Sequence, residues 1–376
     1  MSSQSTEFKA ILTAEPSYRQ AQIEQAWFDV NISSYDEITT LPKELREKLK
    51  HFPWLTVEVA AAFSSKMDNT RKFLFKLHDG NLIETVVMGR KNLKEDAVEG
   101  GPDRYTICIS SQVGCPMKCI FCATGKAGFK RQLSAEEIID QYRFAQRLLA
   151  KEGARVGNIV MMGQGEPLLN YENVKRALRI LLKNTELGET KITVSTAGVP
   201  AMMEKLLSDV NFPPVRWALS LHSAIEETRQ QIMPSHKKGF LEWLVKWAVA
   251  YRQRFPSRTH FLGFEYIMLS GVNDDERHLR ALIKLCKKIP YFRVNLIPYN
   301  KIDDESQPHQ EDFLPSPTQG RRGQSESYFR TFDRTPPELI EHWHNSLMAV
   351  GFISTIRYSQ GQDIAAACGQ LANKKK

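Results

Sequence analysis

The sequence has no run of roughly eighteen consecutive apolar residues, the least that a helix needs to cross a bilayer. Its opening stretch, MSSQSTEFKAILTAEPSYRQ, lacks the apolar segment of a secretory signal. The expected location is therefore the cytoplasm, with no membrane association. Cysteine is scarce. Six in 376 residues do not make a secreted disulfide scaffold. No segment recurs at a fixed period of roughly 20–50 residues, which excludes solenoids and propellers. What remains is an ordinary soluble globular composition, 42% hydrophobic and 25% charged. The length suits two domains, or one large domain with an appendage. A net charge of +8 fits a polyanionic partner without demanding one.

Half of the few cysteines stand together. Cys115, Cys119 and Cys122 are spaced C-x3-C-x2-C. Thiolates are soft ligands that suit iron–sulfur clusters and zinc. A structural zinc site normally takes four protein ligands, so zinc would require a distant fourth. Three thiolates on a [4Fe–4S] cluster leave one iron without a protein ligand, open to a small molecule. The spacing looks like the signature of the radical S-adenosylmethionine (SAM) enzymes, in which SAM occupies that open iron. Of the other cysteines, Cys286 lies in ALIKLCKKI and reads as a small buried hydrophobe. Cys108 and Cys368 remain as thiols near the expected site.

The chain reads in three parts. Residues 1–66 suggest a small helical unit, with a helix over 18–28 and Pro42 opening an amphipathic segment. Such a unit would be either a packing appendage or an RNA-contacting domain. Residues 67–103 hold two β-rich runs around Asp79-Gly80, a hairpin turn signal, and then a polar Gly-rich loop over 89–103. From 104 to 376 strands alternate with helices. A short strand at 105–110 comes first. Ser134 and Glu137 form a capping-box pattern at the head of a helix reaching about 150. Strands are expected at 158–163, 192–196, 215–221, 261–269, 293–298 and 352–359, and helices at 171–183, 199–208, 240–252 and 275–288. This alternation predicts an α/β fold with a parallel sheet, a partial or full βα barrel. Residues 301–335 interrupt it with a polar insertion carrying Arg321 and Arg322.

Sites in such barrels collect at the C-terminal ends of strands. Gly163-Gln164-Gly165-Glu166-Pro167 falls at one such end. Its glycines admit close approach of backbone to a ligand, and its carboxylate can accept hydrogen bonds from an amine. Ser195, then Ser220-Leu221-His222, then Asn300 follow at successive strand ends. Cys368 precedes Gly369-Gln370 in the tail.

These elements together are similar to the RlmN/Cfr family of radical SAM methyltransferases. The resemblance runs through LPKELREKL, ETVVM, CISSQVGC, CPMKCIFCATG, MMGQGEPLLN, STAG, SLH, VNLIPYN and DIAAACGQL, and covers nearly all the chain outside 301–335. It implies a partial (β/α)6 barrel with a small N-terminal helical domain. It implies a [4Fe–4S] cluster on Cys115, Cys119 and Cys122. SAM, two molecules per turnover, would contact Gly165, Glu166, Ser195, Ser220, Leu221, His222 and Asn300. Cys368 would carry the methyl group, Cys108 would resolve the intermediate through a disulfide, and Glu84 would accept a proton. The implied substrates are an adenosine of 23S rRNA and an adenosine of some tRNAs. The implied partner is a flavodoxin-like electron donor, and the implied state a monomer. GEP and LIP favour the adenine-C2 branch over the C8 branch. Gln164 departs from the family, which usually has methionine there.

Overall fold

A computed structural model describes residues 3–89, 103–302 and 332–372. Most of the insertion expected at 301–335, with Arg321 and Arg322, and most of the loop expected at 89–103, fall outside those residues.

The N-terminal unit consists of α1 (Ser3–Ala14), α2 (Ser17–Phe28) and α3 (Lys43–Leu49). It has a core of its own around Ile23, Trp27, Tyr35, Leu45 and Leu49. The helical unit expected to reach residue 66 ends earlier. Val57–Ser64 is strand β1, paired antiparallel with β2 (Thr70–Leu77). The alanines of VEVAAAFS favour helix locally, but sheet pairing overrides that weak preference. β2 turns at Asp79-Gly80 into β3 (Leu82–Gly89), with Leu74 opposite Glu84.

β4 (Arg104–Cys108) joins this extension to the barrel. It pairs antiparallel with β3 and parallel with β7 (Arg155–Met161). Between them lie β5 (Gln112–Gly114), α4 (Ala123–Ala127), β6 (Phe129–Gln132) and α5 (Ala135–Ala150). The Ser134–Glu137 capping box is formed. Next come α6 (Tyr171–Asn184), β8 (Ile192–Thr196), α7 (Pro200–Ser208), β9 (Arg216–Ser220), α8 (Glu226–Ile232) and α9 (Phe240–Arg254). The barrel ends with β10 (Leu262–Met268), α10 (Glu276–Cys286), β11 (Phe292–Pro298), α11 (Pro337–Ala349) and β12 (Ser354–Ile356). The last strand is shorter than the 352–359 expected.

The ten-stranded sheet runs β1-β2-β3-β4-β7-β8-β9-β10-β11-β12, and every pair from β4 onward is parallel. This is an α/β fold with a partial (β/α)6 barrel. Helices cover the outer face, so β10 is buried along its whole length, as a central parallel strand should be. α6 buries Tyr171, Val174, Ala177, Leu178 and Leu181, a stripe at helical spacing laid on the sheet. Among the described residues, no helix is long and apolar enough to cross a membrane.

α5 also carries the N-terminal unit. Arg143, buried and paired with Asp140, donates to Trp27 O at 2.9 Å. Asp140 accepts from Thr56 N at 2.6 Å, and Arg147 donates to Asp29 O at 2.8 Å.

Candidate active site

The cysteine loop is held on both sides. Cys115 N donates to Gly128 O at 2.9 Å. Gly114 sits at φ +73, and a Cβ there would come within 1.8 Å of the same carbonyl, so the turn into the loop requires glycine. On the other side Ala123 N donates to Gly369 O at 2.7 Å, and Thr124 Oγ1 to Leu371 O at 2.7 Å. The C-terminal tail is thus fastened to the loop.

Cys115, Cys119 and Cys122 are free thiols. Burial pushes Cys115 up to about 12 and raises Cys119 well above the usual thiol range, and the neighbouring cysteine charges raise both again. Three thiols that disfavour one another's ionisation, with Arg229 as the cation acting on Cys119, make a soft donor set that carries more negative charge than its surroundings offset. A cationic cluster supplies the balancing charge, so the residues fit a [4Fe–4S] group. Among the described residues, no three His, Cys, Asp or Glu side chains converge on a single metal ion. A cubane does not require that convergence, since each thiolate takes its own iron.

The β7 loop lies against this one. Gly165, at φ +106, would place a Cβ 2.6 Å from Gln112 Cβ. Glu166 is buried, and desolvation pushes its carboxyl up to about 7 against hydrogen bonds that favour the anion. Those bonds come from Ala197 N at 2.7 Å and Leu168 N at 3.0 Å. The Glu166 charge in turn helps to raise the Cys115 and Cys119 thiols of the neighbouring loop. The Gln164 side chain turns the other way, toward Glu84, with Nε2 at 3.5 Å from Glu84 Oε2.

Ser195 is the penultimate residue of β8, and Ser220 ends β9. Arg229 of α8 ties the two ends together. It donates to Ala197 O at 2.7 Å, Leu221 O at 3.1 Å and Ser220 O at 3.2 Å, and meets His236 Nδ1 at 2.6 Å. His222 has φ 55. Its Nδ1 accepts from Ile267 N at 3.0 Å, so the proton lies on Nε2. Burial, reinforced by Arg229, pulls its pKa down to about 3, so it is a neutral imidazole at physiological pH. Asn273 holds its backbone, donating from Nδ2 to His222 O at 2.7 Å.

Asn300 follows β11 and donates from Nδ2 to Ser359 Oγ at 2.9 Å and to Cys368 O at 3.3 Å. Cys368 is the exposed cysteine of the six. Burial nevertheless raises its thiol, and Arg357 partly offsets the rise. Cys108 ends β4, packed with Val86, Ala366 and Leu371, and is pushed up to about 12 by burial and by the Cys368 charge. Arg357 stands by both thiols and pairs with Glu265 at 3.2 Å. Glu84 is fully buried, 3.2 Å from Lys72 Nζ. Cys286 is buried in α10, away from the mouth.

The expected site residues thus lie on the strands and loops at the C-terminal ends of the parallel strands, with Glu84 on β3 beside them and Cys368 on the tail after β12. Sequence reasoning missed Lys72, Arg229, Glu265 and Arg357. A separate cleft of about 770 Å³, between α2, α6 and the opposite ends of β4 and β7, holds none of these residues.

The radical SAM superfamily model matches residues 109–283. The structure of a radical SAM methyltransferase from Sphaerobacter thermophilus is 33% identical, with a TM-score of 0.76 over 98% of this chain and 97% of that one. A domain of the pyruvate-formate lyase-activating enzyme from Bacteroides vulgatus is 16% identical, with a TM-score of 0.36 over 54% of this chain and 99% of that one. SuiB of Streptococcus suis, bound to S-adenosylmethionine, is 14% identical, with a TM-score of 0.41 over 71% of this chain and 49% of that one. The last two scores are too low to bear on function.

Proposed function

The chain belongs to the radical SAM methyltransferases, and from that premise we propose that it methylates carbon 2 of an adenosine in 23S rRNA and of an adenosine in some tRNAs. The family implies a [4Fe–4S] cluster and SAM as cofactors. In this reading Cys115, Cys119 and Cys122 hold the cluster, and Gly165, Glu166, Ser195, Ser220, Leu221, His222 and Asn300 line the SAM site. When bound, cluster and SAM supply the methyl group, an electron and radical chemistry at an electron-poor ring carbon that polar methylation does not reach.

The protein supplies the rest. Cys368 carries the methyl group on its sulfur, the nucleophile being its thiolate. Burial opposes that ionisation and Arg357 favours it. The Asn300 amide fixes the Cys368 carbonyl and so orients the loop. Cys108 attacks the sulfur of Cys368 to release the product, leaving a disulfide. Glu84 takes the ring proton. An adenine treated in this way must leave its stack, which an RNA-binding surface has to assist. The N-terminal unit is the proposed RNA-contacting domain. Two SAM per turnover, a flavodoxin-like reductant, a monomeric state and a cytoplasmic setting complete the proposal.

One observation carries this reading. Cys108, at the end of β4, packs against Ala366 and Leu371 of the tail that carries Cys368, and the Cys368 charge raises the Cys108 thiol. A radical SAM enzyme without a methyl-carrying thiol has no use for that second pair. The test is mass spectrometry of rRNA and tRNA nucleosides from a strain lacking its own enzyme of this type, expressing wild type or Cys368→Ala. 2-Methyladenosine is expected with wild type alone. 8-Methyladenosine would move the assignment to the C8 branch, and no methylated adenosine would remove the RNA reading.

A further inference from the structure

β3 presents alternate residues to opposite sides of the sheet. Ile83, Thr85 and Val87 face α5, where Thr85 Oγ1 donates to Gln141 at 2.8 Å. Glu84, Val86 and Met88 face the other side, which the C-terminal tail covers through Ile364, Ala366 and Leu371. On that face one buried charge meets another. Lys72 of β2 is 2% exposed, and its Nζ lies 3.2 Å from Glu84 Oε1. The same ammonium donates to Ala365 O at 3.2 Å, three residues before Cys368 on the covering tail. It also stands 5.1 Å over the Phe63 ring.

A buried lysine and glutamate are a poor way to gain stability, since an apolar pair of similar volume commonly does as well or better. The pair sits in a strand face otherwise filled by Leu74 and Val86, where such an exchange would be simple. Glu84 has neutral neighbours as well. Gln164 approaches its carboxylate from the β7 loop, and Ser110 Oγ donates to its backbone carbonyl at 2.7 Å. Among the described residues, the other titratable groups beside this face are the Cys108 thiol at the end of β4 and the Cys368 thiol on the tail, both held in the neutral form by burial, and Arg357, which stands by both thiols and pairs with Glu265. Lys72 is therefore the cation that contacts Glu84 from β2, and it reaches the Cys368 loop at the same time.

We infer that Lys72 is a positioning residue for Glu84, keeping the buried carboxylate ionised and ready to accept a proton while tying it to the loop that bears Cys368. The inference rests on the proposed reading of Glu84 as the proton acceptor. In that step the carboxylate takes H⁺ and becomes a neutral acid, the C–H electron pair stays with the ring, and Lys72 keeps its charge and its bond to Ala365 O. Without the ammonium, desolvation favours the protonated acid before turnover begins.

The experiment compares wild type, Lys72→Met and Lys72→Arg in the full, cluster-reconstituted chain. Peptide mass spectrometry reads methylation of Cys368, which does not need Glu84. Single-turnover methylation of an rRNA fragment is followed from pH 6 to pH 9. Lys72→Met should still methylate Cys368, yet transfer the methyl group to RNA at least about tenfold more slowly at pH 7. The deficit should shrink as pH rises and Glu84 ionises unaided, and Lys72→Arg should restore most of the rate. In the cluster-free chain, iodoacetamide should label Cys368 faster in Lys72→Met than in wild type, with Cys286 as the internal control. A Lys72→Met rate within about twofold of wild type, or a loss equal at every pH, overturns the role assigned to Lys72. Loss of Cys368 methylation in Lys72→Met, or labelling unchanged from wild type, does so too. A wild-type chain that methylates no RNA overturns the functional reading itself, and the inference falls with it.

Discussion

Arg229→Met is the substitution whose effect the structure defines most fully. The side chain is 1% exposed and its guanidinium binds three carbonyls at the ends of β8 and β9. It also stacks 4.4 Å over Phe240. Methionine fills much of the volume but removes every donor. A buried carbonyl left without a donor costs about 1–3 kcal/mol. Leu221 O retains a hydrogen bond from Ser223 N at 2.7 Å, so its loss is partial. Removing a buried cation also returns part of its desolvation cost. The net expected loss of stability is about 2–4 kcal/mol, measured by urea unfolding of the cluster-free chain. The functional effect should be larger than that figure suggests, because Ala197, Ser220 and Leu221 flank the proposed SAM site. A shift of about 1 Å in such groups can cost up to ~100-fold, so SAM affinity of the reconstituted protein should fall by at least about tenfold in calorimetry. Arg229→Lys should recover little, since a point charge cannot serve three separated acceptors as a planar fork does. Stability within about 0.5 kcal/mol of wild type, together with unchanged SAM affinity, would refute the claim that Arg229 holds the two strand ends.

Gly165→Ala should leave the chain folded but abolish SAM binding in the same assay, because the φ of +106 and the 2.6 Å approach to Gln112 leave no room for a Cβ. His222 makes a separate prediction about acid. Its folded pKa of about 3 lies below the ordinary 6.5, so the stability of the neutral form is complete above pH 6.5 and is lost as pH falls toward 3. The full drop corresponds to about 5 kcal/mol. His222→Gln can still accept from Ile267 N, so its urea-unfolding free energy should fall less steeply than that of wild type between pH 6 and pH 3.5. Parallel slopes would show that His222 does not carry the acid limb.

The barrel was legible because strand and helix periods do not overlap. ITVST at 192–196 is strand β8 to the residue. The capping box at Ser134 marked the start of α5. Residues whose meaning comes from distant partners were not legible. EETRQQI is a polar run outside the expected helices, and only the folded chain shows a helix there with Arg229 buried under two strand ends. Lys72 sits in TRKFLFKL, where alternation suggests a solvent-facing position, until the tail covers that face. Glu265 did carry a signal. A single carboxylate within LGFEYIM, a wholly buried strand, requires a partner. Arg357, with Asn295 at 2.8 Å, is that partner.

The division of residues 67–103 into a hairpin and linker understates what that stretch does. A sheet that does not close into a barrel has two edges, here β1 and β12. The chain after β12 crosses from one edge to the other. Asp363 accepts from Lys66 N at 2.8 Å and from Ser65 Oγ at 2.7 Å, at the β1–β2 turn. Gly361 N donates to Asp68 at 2.9 Å, and Gln360 Nε2 to Gly89 O at 3.1 Å. At φ +65, Gly361 packs so closely that a Cβ would meet Thr70 at 2.7 Å. The tail therefore spans the gap that a complete barrel would fill with strands, and fastens Cys368 above it. The antiparallel extension is the surface on which that tail rests, and it brings Lys72 and Glu84 under the loop. A partial barrel leaves its mouth wide enough for a large substrate. Here the same opening is bridged by a segment from each end of the chain, which is how Cys108 and Glu84 come to lie under the tail that carries Cys368.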